Sequence, residues 1–241
     1  MKMNPRLPAL LTIALLFSLP FGSCAQDEPP TNAPAVDTQT NEAPTLADMM
    51  ASNNVVTNTV GIVLVKVSPG FWAGKYEVTQ QAYRKVAAIN PSAFPGSQKP
   101  VDSVSWNDVM AFCQKLTKME QTAGELPKNY QYTLPTEAQW EMLVGNASLK
   151  DAVMKLNGAR SSTAPVGSLE PNNLGLYDLR GNVMEWCLDS HDSRYRLLRG
   201  GAWNTAYEPN SRIDFRWYAK TLDDKQNDFG FRVVLVSGAS P

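Results

Sequence analysis

Histidine and cysteine are scarce in this 241-residue chain, which holds one of the former and three of the latter. A single imidazole, His191, excludes sites built on two or three histidines, such as facial-triad iron centres and His-rich catalytic zinc. A Ser-His-Asp triad would need His191, but Asp189-Ser190-His191-Asp192-Ser193 reads as a solvated loop. No Gly-rich phosphate loop, HExxH or CxxC is present. Charge of one sign is not in excess, with 22 basic and 23 acidic residues mixed along the chain. That balance excludes a nucleic-acid surface and a polybasic membrane patch. No apolar run reaches the ~20 residues of a membrane-spanning helix.

What is present begins at the N-terminus. Lys2 and Arg6 precede an apolar stretch from Leu7 to Phe21, which ends in Phe21-Gly22-Ser23-Cys24. A short apolar region before small residues and a cysteine reads as a lipoprotein signal over residues 1–23, leaving Cys24 to be lipidated. An ordinary signal peptide cleaved near Ala25 is the alternative. Several acyl chains on Cys24 would hold the protein stably at a membrane. With Ala25 rather than Asp after the cysteine, the outer membrane is the expected site, on its periplasmic or surface face. Residues 24–54 are polar and Pro-containing, so they read as a disordered tether. From residue 55 to 241 the chain carries all six tryptophans, and its length suits one domain with a real core.

Within that domain, apolar β-branched residues place strands at Gly61–Val67 and Phe71–Val78. Thr79, Ser105 with Asp108, and Thr136 with Gln139 mark three helix starts. Trp106, Val109, Met110, Cys113 and Leu116 repeat at helical spacing, which makes Cys113 a core residue; Cys187 reads as half exposed. Beyond Gly145 the periodicity fades into short extended pieces. About three helices are expected.

Six segments carry a specific likeness. They are Glu77-Val78-Thr79, Pro100 to Trp106, Leu134 to Glu141, Gly175 to Trp186, Arg199-Gly200-Gly201-Ala202-Trp203 and Phe229-Gly230-Phe231-Arg232-Val233. The sequence resembles the formylglycine-generating enzyme family, or sulfatase-modifying factor domain, across residues 57–236. The resemblance implies an α+β variant of the C-type lectin fold with little regular secondary structure. It also implies one structural calcium, held by Asp178 and Glu185 side chains and by the carbonyls of Gly181 and Val183. The competing reading makes Glu185 a buried carboxylate satisfied by backbone amides or arginine. A second calcium site of the family has no acidic ligands here.

Catalytic members oxidise a substrate cysteine with a pair of copper-binding cysteines just after the Arg-Gly-Gly motif. The matching positions are Thr205 and Asn210, and no cysteine follows Cys187. Neither a hydroxyl nor an amide replaces a thiolate on Cu(I), so copper is not expected. The family disulfide from Cys113 also lacks its partner, which is Val233 here. The resemblance therefore implies a non-catalytic, lipid-anchored module binding a peptide, glycan or partner protein. Trp203, Tyr207, Asn210, Arg212 and Arg216 are the candidate groove residues, with core packing and ordinary ion pairs as their alternative roles. The other functional reading is an oxidoreductase acting on a side chain or small molecule by different chemistry.

Overall fold

The computed structural model describes residues 43–190, 195–219 and 221–238. The signal, Cys24, the tether as far as residue 42 and His191 lie outside the described residues.

Two sheets organise the domain. The first is antiparallel, in the order β1 (Val55–Thr57), β2 (Val63–Ser68), β3 (Phe71–Gly74), β9 (Val234–Ser237), β4 (Tyr130–Thr133). The second runs β7 (Trp217–Ala219), β6 (Arg196–Arg199), β5 (Met184–Ser190), β8 (Phe229–Gly230), with β5 and β8 parallel. Strand β3 is buried throughout, because its alternate side chains enter two different cores. Trp72 joins Leu64, Phe112, Leu116 and Phe231 on one side, while Phe71 and Ala73 join Trp140, Leu143 and Val234 on the other.

Helices α2 (Gln80–Ala87), α3 (Trp106–Thr122) and α4 (Glu137–Val144) begin where the capping residues place them. Ser105 and Asp108 form a reciprocal capping box, as do Thr136 and Gln139. The second expected strand stops at Gly74. Glu77 turns inward to bury its carboxylate, so the chain cannot stay in the sheet through Val78.

A fourth helix, α1 (Leu46–Ser52), corrects the tether boundary. Thr45 and Asp48 cap it, and Leu46 and Met50 are buried in the main core. Its first turn is also fixed by Leu46 N–H donating to Glu125 Oε2 at 2.9 Å. Two apolar residues four apart sufficed to dock a segment whose average composition reads as disordered. Cys187 is a second correction. It lies on β5, fully buried, because β5 is the inner strand between β6 and β8. Cys113 and Cys187 are both free. Among the described residues, no helix is long and apolar enough to cross a membrane.

Candidate functional site

The loop from Asp178 to Glu185 reverses tightly, with positive φ at Asp178, Gly181 and Asn182. Gly181 sits at φ 90°, its N–H bonded to Gly200 O at 2.9 Å, and a Cβ there would lie 2.7 Å from Val153 O. The loop carries its two carboxylates into the interior beside a third, Glu77. All three are buried, at 2% exposure for Glu77, 6% for Asp178 and 1% for Glu185, and one guanidinium, Arg232, sits among them at 0%.

Glu185 is saturated. Arg232 pairs with Oε1 at 2.8 Å through Nη2, and Trp140 Nε1 donates to Oε2 at 2.9 Å. This is the arrangement of the competing reading of Glu185. Glu77 accepts from Asn182 Nδ2 at 2.6 Å and from the Val183 N–H at 3.0 Å. Burial, followed by the charges of Asp178 and Glu185, pushes Glu77 well above the ordinary glutamate range. Asp178 is also raised, mainly by burial, and the Gly167 N–H at 2.6 Å on Oδ2 opposes that shift. Its other oxygen has no donor among the described residues.

One arginine among three carboxylates leaves the cluster short of positive charge, which raised carboxyls can make good with protons or a hard cation with its own charge. The side chains do not converge as a cage, however. Among the described residues, no group of three or more His, Cys, Asp or Glu is arranged to hold a metal. Asp178, with the Gly181 and Val183 carbonyls on its own loop, fits such an ion by donor chemistry. Glu185 could join only by sharing its carboxylate with Arg232.

Thr205 and Asn210, which the family resemblance aligns with the copper pair, both lie in turns. Thr205 Oγ1 accepts from the Ala202 N–H at 2.9 Å, and the Thr205 carbonyl accepts from the Leu156 N–H at 2.9 Å. Asn210 lies in a 3-10 turn, Glu208–Ser211, closed by its N–H on Tyr207 O. The two thiols of the described chain are fully buried, and burial raises both far above the range in which thiolates form at neutral pH.

The five candidate groove residues differ in exposure and in partners. Trp203 is half-buried against the main core, meets Phe94 edge-on at 5.1 Å and donates Nε1 to Asn227 O at 3.2 Å. Tyr207 is exposed. Arg212 pairs with Asp214 at 2.9 Å, and Arg216 pairs with Glu137 at 2.5 Å. Arg212 borders a shallow depression of about 500 Å³ with Arg180, Glu141 and Ile213, away from Trp203. The arginines therefore take their alternative role as ion-pair partners, Arg212 of Asp214 on its own loop and Arg216 of Glu137 and Glu141 on α4.

Around Trp203 the structure gathers residues that the sequence did not single out. Asn204 Nδ2 donates to Asp228 Oδ2 at 2.8 Å, and the other oxygen of Asp228 is buried without a partner. Burial, reinforced by Asp102, raises the Asp228 carboxyl. Phe94 comes from the loop after α2, Trp203 and Asn204 follow β6, and Asp228 precedes β8. Only tertiary contact joins them.

The sulfatase-modifying factor enzyme 1-like domain family matches residues 49–236. This chain belongs to that family. The match begins inside α1, in keeping with the docked helix. Among curated relatives, the chain is 29% identical to "Chaperone protein LppX" of Paenibacillus barcinonensis, over 55% of this chain and 69% of that protein. It is 28% identical to "Inactive C-alpha-formylglycine-generating enzyme 2" of Bos taurus, over 59% and 52%. With "Formylglycine-generating enzyme" of Thermomonospora curvata it shares 30% identity over 48% and 39%. The chain thus spans about half the length of that bovine relative and less of the last. Of solved structures, PvdO from Pseudomonas aeruginosa aligns with a TM-score of 0.61 at 20% identity, over 76% of this chain and 97% of that one. Treponema denticola variable protein 1 aligns at 0.60 and 23%, over 76% and 91%. The fold is the α+β sulfatase-modifying factor variant of the C-type lectin fold. Family membership covers active and inactive proteins alike, so activity has to be argued from the site.

Proposed function

We propose that this protein is a non-catalytic, lipid-anchored member of the family, held at the outer membrane through Cys24. In this reading it binds a polypeptide client on the face built by Phe94, Trp203 and Asn204. One observation carries the reading: Thr205 and Asn210 occupy the copper-pair positions and are committed to turns. A cysteine oxidase of this family needs two thiolates there, and a hydroxyl bonded to its own backbone offers neither charge nor softness. The likeness to a protein named as a chaperone supports client binding, and the envelope reading of the N-terminus agrees with it.

The deciding experiment incubates the full chain with Cu(I), oxygen and a cysteine-containing sulfatase-type peptide. No aldehyde and no stoichiometric copper are expected, and aldehyde formation would restore the oxidase reading. Client binding is read separately, from the aggregation of reduced insulin by light scattering. The chain is expected to slow aggregation and the Phe94→Ser variant to do so less; equal effects would remove the Phe94 face from the proposal.

The same reading includes one calcium ion on Asp178 and the Gly181 and Val183 carbonyls. When bound, the ion would supply positive charge to a cluster that lacks it. Adding calcium at about a hundredfold over its dissociation constant would stabilise the fold by ~2.7 kcal/mol. For a domain of this size that is a rise of about 5–10 °C in Tm over the chelated protein. An unchanged Tm with excess EGTA or excess calcium would mean that the cluster relies on protons and Arg232 alone.

A further inference from the structure

A separate cleft of about 290 Å³ opens where the β1–β2 turn, the start of α2 and the loops at Gln98 and Val166 meet. A second, smaller cavity next to it shares Gly61, Val63, Tyr76, Thr79 and Ala82 and is also lined by Glu77. The polar groups of the cleft are Thr79, Gln81, Lys85 and Gln98, and its aromatic wall is Tyr76. The volume is at the small end for ligand clefts, ~300–1,000 Å³, and suits one ring rather than a chain.

The lining is uncharged except for one cation, the Lys85 ammonium. Lys85 Nζ donates to the Val60 carbonyl at 3.0 Å, which holds it in place and leaves it further N–H donors. Both oxygens of Glu77 already accept from Asn182 and Val183, so no free carboxylate faces the cleft. Gln98 Nε2 donates to Gln81 Oε1 at 2.8 Å. That bond leaves the Gln81 side-chain N–H groups and the Gln98 side-chain oxygen Oε1 without partners among the described residues. One donor and one acceptor thus stand side by side at the mouth, an arrangement that matches adjacent hydroxyls, each of which both donates and accepts.

Backbone contacts hold the pair in place. Gln81 N–H donates to Ser97 O at 3.1 Å, and Val166 N–H donates to Gln98 O at 2.9 Å. The Tyr76 ring is fixed as well. It packs on Tyr177 at 5.0 Å, and its edge lies against Gly167, where a Cβ would come within 2.6 Å of Cε1. Fixed aromatic carbon beside fixed amides offers a sugar both its apolar face and its hydroxyl edge.

We infer that this cleft is a binding subsite for a pyranose ring, such as a terminal hexose or N-acetylhexosamine of a glycan. It is distinct from the Trp203 face, and its failure would leave the client-binding reading untouched. The test is saturation-transfer NMR on the full chain with methyl hexosides and methyl N-acetylhexosaminides as probes. At least one probe is expected to receive saturation. Gln81→Leu and Gln98→Leu are expected to weaken it about tenfold each, the size of one lost hydrogen bond left unreplaced. Both glutamines are exposed, so circular dichroism should show an intact fold. Phe94→Ser should bind the same probe as well as the parent does. Absence of saturation from every probe, or parental affinity in both leucine variants, would overturn the inference.

Discussion

Replacing Arg232 by leucine is expected to destabilise the domain by about 3–5 kcal/mol, the range for removing one partner of a buried ion pair. Arg232 has no exposed surface and makes contacts that a leucine cannot replace. Its Nη2 pairs with Glu185 and also donates to Tyr177 O at 2.5 Å, and its Nη1 donates to Gly74 O at 2.7 Å. Without the guanidinium, Glu185 keeps only the Trp140 indole, and two carbonyls from separate elements lose their donor. Glu77 and Asp178 lose the one positive charge that lowers them. For a domain of this size, Tm should fall by roughly 6–20 °C. Thermal unfolding followed by circular dichroism gives the number. Arg232→Lys should recover part of the loss, since it restores the charge without the fork that reaches three elements. A leucine variant within 2 °C of the parent would show that the cluster does not depend on Arg232.

Gly181→Ala should be the second severe substitution, for steric rather than electrostatic reasons. The new Cβ would meet Val153 O at 2.7 Å and Val153 N at 2.8 Å, both backbone atoms that no side-chain rotation can move. The φ of 90° adds strain for any residue with a Cβ. Overpacking of this kind costs about 1–3 kcal/mol, and the backbone conformation about as much again. The loop that carries Asp178, Asn182 and Glu185 should loosen with it. Amide hydrogen exchange should therefore quicken at Gly181, Asn182 and Val183, whose N–H groups bond to Gly200, Val153 and Glu77. Unchanged exchange at those three amides would mean that the Val153 segment shifts at little cost.

The two substitutions differ in how visible they are from sequence. Gly181 sits inside a segment that the family resemblance had marked, and its need for glycine could be expected from the turn. The partner of Arg232 could not. Arg232 and Glu185 are 47 residues apart, and Glu77 lies more than a hundred residues before Val183. No local pattern encodes that meeting. The calcium expectation took Glu185 as a free ligand because a carboxylate near a glycine turn looks the same whether it faces solvent, metal or arginine. The groove residues divided for a related reason. Arg212 pairs with Asp214, two residues on in the same loop, whereas the partner of Arg216, Glu137, is reached only because α4 packs beside that loop. Helix α1 escaped notice because Leu46 and Met50 are too few to outweigh the polar residues around them.

Local chemistry in the sequence determined three of the helix starts, the burial of Cys113 and the absence of thiols at Thr205 and Asn210, and the family resemblance carried the lectin-like fold. The first three depend on residue identity at short range or on what a position cannot supply. Tertiary structure alone decided the three-carboxylate cluster around Arg232, the Phe94–Trp203–Asp228 face and the cleft beside Gln81 and Gln98. Those features arise when distant segments enclose a common volume, where loss of water changes what a carboxylate or an amide must find as a partner.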